Sequence, residues 1–287
     1  MTLAEALKRE PVAIAGYAVV GEVRGGEVGA AEVVDRIGRR AIAKWDWPVD
    51  AVGRERGQNA APIVGRLRAR GAKIPAYLAV EPIEQGQLIL QEFVSGRPTD
   101  RVGSRLLDEL VRFNRLQGDA VPDGSGWGDY VRRSLVHGLE GYCEHASLAE
   151  HDAATQDLLD QVQAAGAALE SVAFQERDAV HLDFHQRNAL VEDGRLRAVI
   201  DCEGYRSGDR IFDLTTLAFC LHVARRPPRA EAELWRYIHA QRNEIIVRAY
   251  VLHQALRQVD WSIRNRTPDQ VESWLIRSRQ LLDQLPP

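Results

Sequence analysis

The densest run of chemistry-bearing side chains is His181-Leu182-Asp183-Phe184-His185-Gln186-Arg187-Asn188, followed by Val199-Ile200-Asp201. Phosphoryl transfer needs a carboxylate to hold the attacking hydroxyl, and oxygen ligands for a Mg²⁺ ion that bridges the nucleotide phosphates. Asp183 stands five residues before Asn188. Beyond Asn188 lie two short apolar runs, Ala189-Leu190-Val191 and Ala198-Val199-Ile200, around Glu192-Asp193-Gly194. The Asp-Gly step is hairpin-turn chemistry, so the chain is expected to return Asp201 beside Asn188. Such a set suits Mg²⁺, which takes one or two protein carboxylates and keeps several waters. Two other readings compete. The three residues can be ordinary turn and cap residues. Alternatively His181, Asp183 and His185, with a distant Asp, can ligate a transition metal in a hydrolase.

That hydrolase leaves Lys44 without a role. The chain has three lysines, Lys8, Lys44 and Lys73, against 34 arginines. Lys44 lies in Arg40-Ala41-Ile42-Ala43-Lys44-Trp45, a strand candidate, where a buried ammonium demands an anionic partner. A compact ammonium also suits phosphate, although an exposed edge-strand lysine would look the same in sequence. Upstream, Gly21-Glu22-Val23-Arg24-Gly25-Gly26-Glu27-Val28-Gly29 is a glycine-rich turn whose N–H groups can approach phosphates.

The elements that must position these residues fall into two blocks. Residues 17–23, 29–35, 40–45, 77–80 and 88–94 read as strands, and 61–70 as a helix with Pro62 in its first turn and Gly71 at its end. Ser95-Gly96-Arg97-Pro98 breaks the pattern. Beyond it the apolar period is helical: Leu106, Leu107, Leu110, Val111 and Phe113, then Leu158, Leu159, Val162, Ala165 and Leu169, then the chain from about Ala230 onward. The expected fold is α+β and two-lobed: residues 1–94 as a β-rich nucleotide-binding lobe, and 95–287 as a mainly helical catalytic and acceptor-binding lobe that holds one hairpin.

The two-part motif, His-x-Asp-x-x-x-x-Asn and then Ile200-Asp201 one hairpin later, resembles the aminoglycoside phosphotransferase family and its small-molecule kinase relatives. The resemblance runs through most of the chain in order, and it implies a protein-kinase-like fold. It implies Asp183 as catalytic base or hydroxyl-orienting residue, Asn188 and Asp201 as Mg²⁺ ligands, and Lys44 on the α- and β-phosphates. It also implies Gly25 and Gly26 in the phosphate loop, backbone groups of Glu92 and Val94 on the adenine edge, and Asp213 and His181 as braces of the catalytic loop. ATP is the implied nucleotide, with GTP left open. The chain departs from the family at one point. The glutamate that normally pairs with the strand lysine would fall near Asn59 or Ala60, neither of them acidic, and Glu55 lies about one helical turn too early.

The net charge of −4 hides a segment, residues 100–180, that carries −8. Carboxylates there would attract a cationic acceptor. Glu140 and Glu144 are expected on one helix face, and Glu203 is expected to point toward the acceptor. An aminoglycoside or basic cyclic peptide antibiotic, modified to confer resistance, is the first expectation. The alternatives are a metabolite kinase acting on an amino alcohol or sugar, and a nucleotide-binding pseudokinase. Composition argues against other classes. A sequence pI near 6.1 without a basic block disfavours nucleic acid. No run approaches the roughly 20 apolar residues of a membrane span. The first ten residues carry acids and no long apolar stretch, so a signal peptide is not expected. Cys143, Cys202 and Cys220, odd in number and far apart, read as free thiols of a cytoplasmic protein, a monomer or homodimer.

Overall fold

A computed structural model describes residues 16–23, 30–46, 56–83, 86–225 and 228–285. The chain forms two compact units, one of residues 1–98 with 188–206, the other of residues 99–187 with 207–287.

The first unit is built on an antiparallel sheet of β1 (Tyr17–Glu22), β2 (Ala30–Asp35), β3 (Arg40–Asp46), β4 (Tyr77–Ile83) and β5 (Gly86–Glu92), in the order β1-β2-β3-β5-β4. Asp35 closes the β2–β3 turn by accepting the N–H groups of Ile37 and Arg39 at 2.9 and 2.8 Å. Side chains alternate across a strand. Ala31, Val33, Ala41, Ala43, Leu88 and Leu90 therefore pack one face as a core. The opposite face carries Lys44, whose partners across the ladders are Ala30 and Ile89, and, one residue pair along, Ile42 opposite Gln91.

Helix α1 (Arg56–Ala69) joins β3 to β4 and buries Ala60, Ile63, Val64 and Leu67. It begins earlier than its apolar spacing predicts, so Pro62 sits inside the helix and not in its first turn. An interior proline forfeits one ladder hydrogen bond and costs about 3 kcal/mol, which burial of this apolar stripe offsets. The helix stops at Gly71, φ +87°. A second sheet has the order β6-β8-β9, from β6 (Arg97–Pro98), β8 (Ala189–Glu192) and β9 (Arg195–Val199). Asp193 and Gly194 both take positive φ, 50° and 69°, as the two-residue hairpin turn requires. Lys73 ties this hairpin to its unit: its carbonyl accepts from Val199 N–H at 2.8 Å, and its Nζ donates to the Leu196 carbonyl at 2.7 Å.

The second unit is helical, with α2 (Ser104–Leu116), α3 (Trp127–Val136), α4 (His145–His151), α5 (Ala153–Ala167), β7 (Asp178–Val180), α6 (Ile211–Val223), α7 (Pro228–His239), α8 (Glu244–Asn265) and α9 (Pro268–Leu282). Helix α8 is its axis: Ala249, Tyr250, Val251, Leu252, Ala255, Leu256 and Val259 are all buried. Asn243 caps that helix by accepting Ile246 N–H at 3.0 Å. At the centre Trp127 Nε1 donates to Tyr250 Oη at 3.0 Å, and Tyr250 donates to the buried Asp209 at 2.9 Å. Asp209 also takes two hydrogen bonds from Arg242 at 2.6 and 2.8 Å, so its buried charge is compensated. Among the described residues no helix is long and apolar enough to cross a membrane.

One expectation about this unit fails. Glu140 and Glu144 do not share a helix face: α3 ends at Val136, and residues 137–144 form an irregular turn. Gly138 and Gly141 both adopt φ +74°, and a Cβ at Gly138 would lie 2.8 Å from the Cys143 carbonyl oxygen. Two glycines three residues apart break a helix that the glutamate spacing alone would permit.

Candidate active site

In the first unit the polar residues gather on Lys44. Strand β3 delivers its side chain, 15% exposed, onto the turn that follows β9. There Nζ donates to both Asp201 and Glu203, the latter at 2.8 Å. Burial would lower the lysine's pKa, but Glu203 and Asp201 outweigh it and hold the ammonium above the usual lysine range. Asp201 adopts the left-handed conformation, φ 62° and ψ 47°, just before a single 3₁₀ turn over Cys202–Gly204. Aspartate tolerates that region better than most residues, and there it projects its carboxylate at the head of a tight turn. Helix α1 packs against the same turn.

Among the described residues, the acids on Lys44 come from the turn after β9 and not from the helix. Asn59 is exposed and Ala60 buried, and Glu203, two residues past Asp201, supplies the second acid on Lys44. Glu203, expected on the acceptor side, faces the lysine. Glu55 lies outside the described residues, as do Gly25 and Gly26. The hairpin sets Asn188 beside Asp201: Ile200 N–H donates to the Asn188 carbonyl at 2.9 Å. Asn188 is 6% exposed.

Oxygen donors dominate this set, with two carboxylates sharing one ammonium and an amide alongside. That excess of negative charge and those hard ligands fit Mg²⁺. Asn188 and Asp201 would hold the ion, which would supply charge neutralisation at the nucleotide phosphates. Among the described residues no group of three or more His, Cys, Asp and Glu is arranged as a metal cage.

The hinge residues remain in the first unit. Glu92 N–H donates to the Ala76 carbonyl at 2.8 Å, and its carboxylate accepts Ala76 N–H at 3.1 Å. Arg40 lies over the Phe93 ring, 3.5 Å from its centroid.

In the second unit the centre is Asp183, on the loop after β7. Arg257 of α8 spans the loop, donating from Nη1 to the Leu182 carbonyl at 2.7 Å and from Nη2 to Asp183 Oδ1 at 2.9 Å. His185 Nε2 stands 3.4 Å from the other carboxylate oxygen. The His185 Nδ1 accepts Arg187 N–H at 3.2 Å, which places the ring proton on Nε2, toward Asp183. Burial raises the Asp183 pKa, but Arg257 and then His185 overcome it and hold the carboxyl well below the usual range. Leu182 has φ +70°, a strained backbone for a bulky residue. The strain persists because Leu182 is held from both sides, by Arg257 on its carbonyl and by Asp213 on its N–H.

Asp213, on the first turn of α6, is fully buried. It accepts His181 N–H at 2.8 Å, Leu182 N–H at 3.1 Å and Gln117 Nε2 at 2.7 Å. Burial pushes its pKa up to about 7 against those three donors. Its bonds are all to the loop backbone and its support, which is the geometry of a brace. His181 is likewise fully buried, and its Nδ1 accepts Asp183 N–H at 3.3 Å. In the competing transition-metal reading, the Nδ1 atoms of both histidines are thus occupied by backbone N–H groups.

Neither expected acceptor glutamate is poised as a free carboxylate cluster. Glu140 is exposed on the turn. Glu144 accepts Gly141 N–H at 2.8 Å and faces Arg264 at 3.9 Å. Arg257 is the partner of Asp183 that the motif does not reveal. Its signal is a lone charge in the apolar stretch Val251-Leu252-His253-Gln254-Ala255-Leu256-Arg257, a place where an unpaired charge would be costly.

The fold is that of the protein-kinase-like phosphotransferases. It is similar to a thermostable mutant of aminoglycoside phosphotransferase APH(4)-Ia in ternary complex with AMP-PNP and hygromycin B, at 17% identity, covering 99% of this chain and 98% of that one, with a TM-score of 0.71. The amicoumacin kinase hAmiN, solved with AMP-PNP, Ca²⁺ and Ami, covers 100% of this chain and 95% of its own at 12% identity and TM-score 0.68. The choline kinase LicA from Streptococcus pneumoniae gives 15% identity, 98% and 99% coverage and TM-score 0.66. No curated protein matches the sequence. The family model described as "phosphotransferase enzyme family" matches residues 50–250, a span that holds Asp183, Asn188, Asp201, Asp213 and all but the last helices. The chain belongs to this APH family of phosphotransferase enzymes.

Proposed function

We propose that the enzyme transfers the γ-phosphoryl group of Mg·ATP to a hydroxyl of a small metabolite, a sugar or an amino alcohol. The acceptor oxygen bonds to the γ-phosphorus, the bond from that phosphorus to the β–γ bridging oxygen breaks, and ADP leaves. Asp183 orients the hydroxyl and receives its proton late, then releases it to solvent. A carboxylate held strongly ionised is a weak proton sink, but phosphoryl transfer asks mainly for positioning. Lys44 holds the α- and β-phosphates, Gly25 and Gly26 cover them, Asn188 and Asp201 hold Mg²⁺, and Glu92 and Val94 meet the adenine edge. Residues 1–94 serve as nucleotide-binding lobe and 95–287 as catalytic and acceptor lobe of a cytoplasmic enzyme, monomer or homodimer.

The choice of acceptor rests on one observation: Glu144 spends its carboxylate on Gly141 N–H beside Arg264 while Glu140 stands apart on a turn. A polycation would find no paired carboxylates there. The −8 charge of residues 100–180 favours the second reading, a cationic antibiotic as acceptor, which is in keeping with the relatives bound to hygromycin B and Ami. ADP release measured over a panel of sugars, amino alcohols, aminoglycosides and basic cyclic peptides tests both. Turnover confined to the first two supports the proposal, and turnover confined to polycations replaces it with the second reading. Mg·ATP binding with no turnover on any acceptor would leave a pseudokinase.

A further inference from the structure

Gln91, the last residue but one of β5, is 4% exposed, and its Oε1 has no hydrogen-bond partner. A buried amide oxygen left unpaired costs stability, so such an atom needs a reason. The ladder shows where it lies. Gln91 is paired with Ile42, and Ile89 with Lys44. Directly paired residues share a sheet face, so Gln91 and Lys44 lie on the same face, two positions apart, a spacing of about 7 Å along the strand. That face, which also holds Ile42 and the buried Ile89, lies opposite the core of Ala41, Ala43, Leu88 and Leu90. Gln91 also immediately precedes the Glu92-Phe93-Val94 hinge.

A nucleotide whose phosphates meet Lys44 and whose base meets the hinge must pass this residue. We propose that Gln91 Oε1 accepts a hydrogen bond from the 6-amino group of adenine, and so reads the nucleotide base by a side chain. This rests on the phosphotransferase reading of Lys44 and adds to it a residue that selects the base. The competing explanation of the orphan oxygen is an ordered water, which would be indifferent to the base.

Calorimetric titration of the full-length protein with Mg·ATP and with the Mg²⁺ complex of purine riboside triphosphate, which lacks only the 6-amino group, separates these. The expected result is about five- to tenfold weaker binding of the analogue, the worth of one net hydrogen bond. The Gln91→Leu variant, or Gln91→Met if the first does not fold, is expected to narrow that gap, leaving only what the hinge backbone contributes. Equal binding of the two by the unaltered protein overturns the proposal, as does a gap undiminished in the variants. Binding of neither nucleotide would instead remove the phosphotransferase reading, and this proposal with it.

Discussion

Lys44 and Asp183 stand in opposite surroundings. In the first unit one cation is shared by two carboxylates, Asp201 and Glu203. In the second, one carboxylate lies between two nitrogen donors, Arg257 and His185. The first cluster keeps an excess of negative charge and so can accept a divalent cation without assembling new ligands. The second over-satisfies its anion and gains position instead of basicity. A phosphotransferase needs both, because charge must be neutralised at the phosphates and the nucleophile must be aimed. The difference also explains why each ion is retained: a buried charge of either sign is tolerable only with its partner in place.

The contrast can be broken at five points. The largest effect is expected from Asp183→Ala, about 10³–10⁴-fold in kcat with Mg·ATP binding unchanged by calorimetry. A loss of nucleotide binding instead would mean that Asp183 belongs with the phosphates. Next, Asp201→Asn is expected to cost about 10²–10³-fold in kcat and to remove the dependence of ATP affinity on Mg²⁺. Undiminished Mg²⁺ dependence would move the metal elsewhere.

Arg257→Met is expected to lower kcat by about ten- to a hundredfold while leaving the nucleotide KM alone, since the loop still folds but Asp183 is no longer aimed. Asp183 also links to pH. Its folded pKa is depressed, so its contribution to stability is present above the ordinary carboxylate range and is lost on acidification. Arg257→Met should shrink that acid-side loss, which thermal melts between pH 3 and 6 would reveal.

Asp213 carries the opposite sign. Its folded pKa of about 7 lies above its unfolded value near 3.8, so the folded protein holds a proton that the unfolded chain has released. Stability should therefore fall as pH rises from about 4 to about 7, then level off. Denaturant midpoints across that window should show a fall in the unaltered protein and a flat line in Asp213→Asn, whatever the variant's baseline. The smallest effect is expected from Glu144→Gln. Exposed ion pairs are worth about 0–1 kcal/mol, so the acceptor KM should move less than twofold. A larger rise for cationic acceptors alone would revive the carboxylate-lined acceptor site.

Much of the molecule is written locally. β-prone runs, glycine and proline breaks and 3.6-residue spacing locate β1 to β5, α2, α5 and the hairpin, because each depends on neighbours within a few residues. Asp193-Gly194 dictates its own turn, and the five-residue step from Asp183 to Asn188 with Asp201 one hairpin later is legible because that hairpin is local. Local spacing misleads where chain geometry overrides it. Glu140 and Glu144 sit at helical spacing, yet Gly138 and Gly141 turn the chain away, and Pro62 ends up inside α1 because the burial of that helix outweighs the lost bond.

By itself, then, the sequence determined which residues have the right chemistry: an aspartate, an asparagine and a second aspartate in order, and a lysine where arginine is the rule. Only the tertiary structure decided their partners. Lys44 meets Asp201 and Glu203 from more than 150 positions away, and Arg257 reaches Asp183 across 74. Charge and hydrogen bonding act through space, and no pattern along the chain encodes which distant group will compensate a buried ion. The packing of the β8–β9 hairpin and of α8 sets those distances, and with them whether each charge neutralises, orients or merely braces.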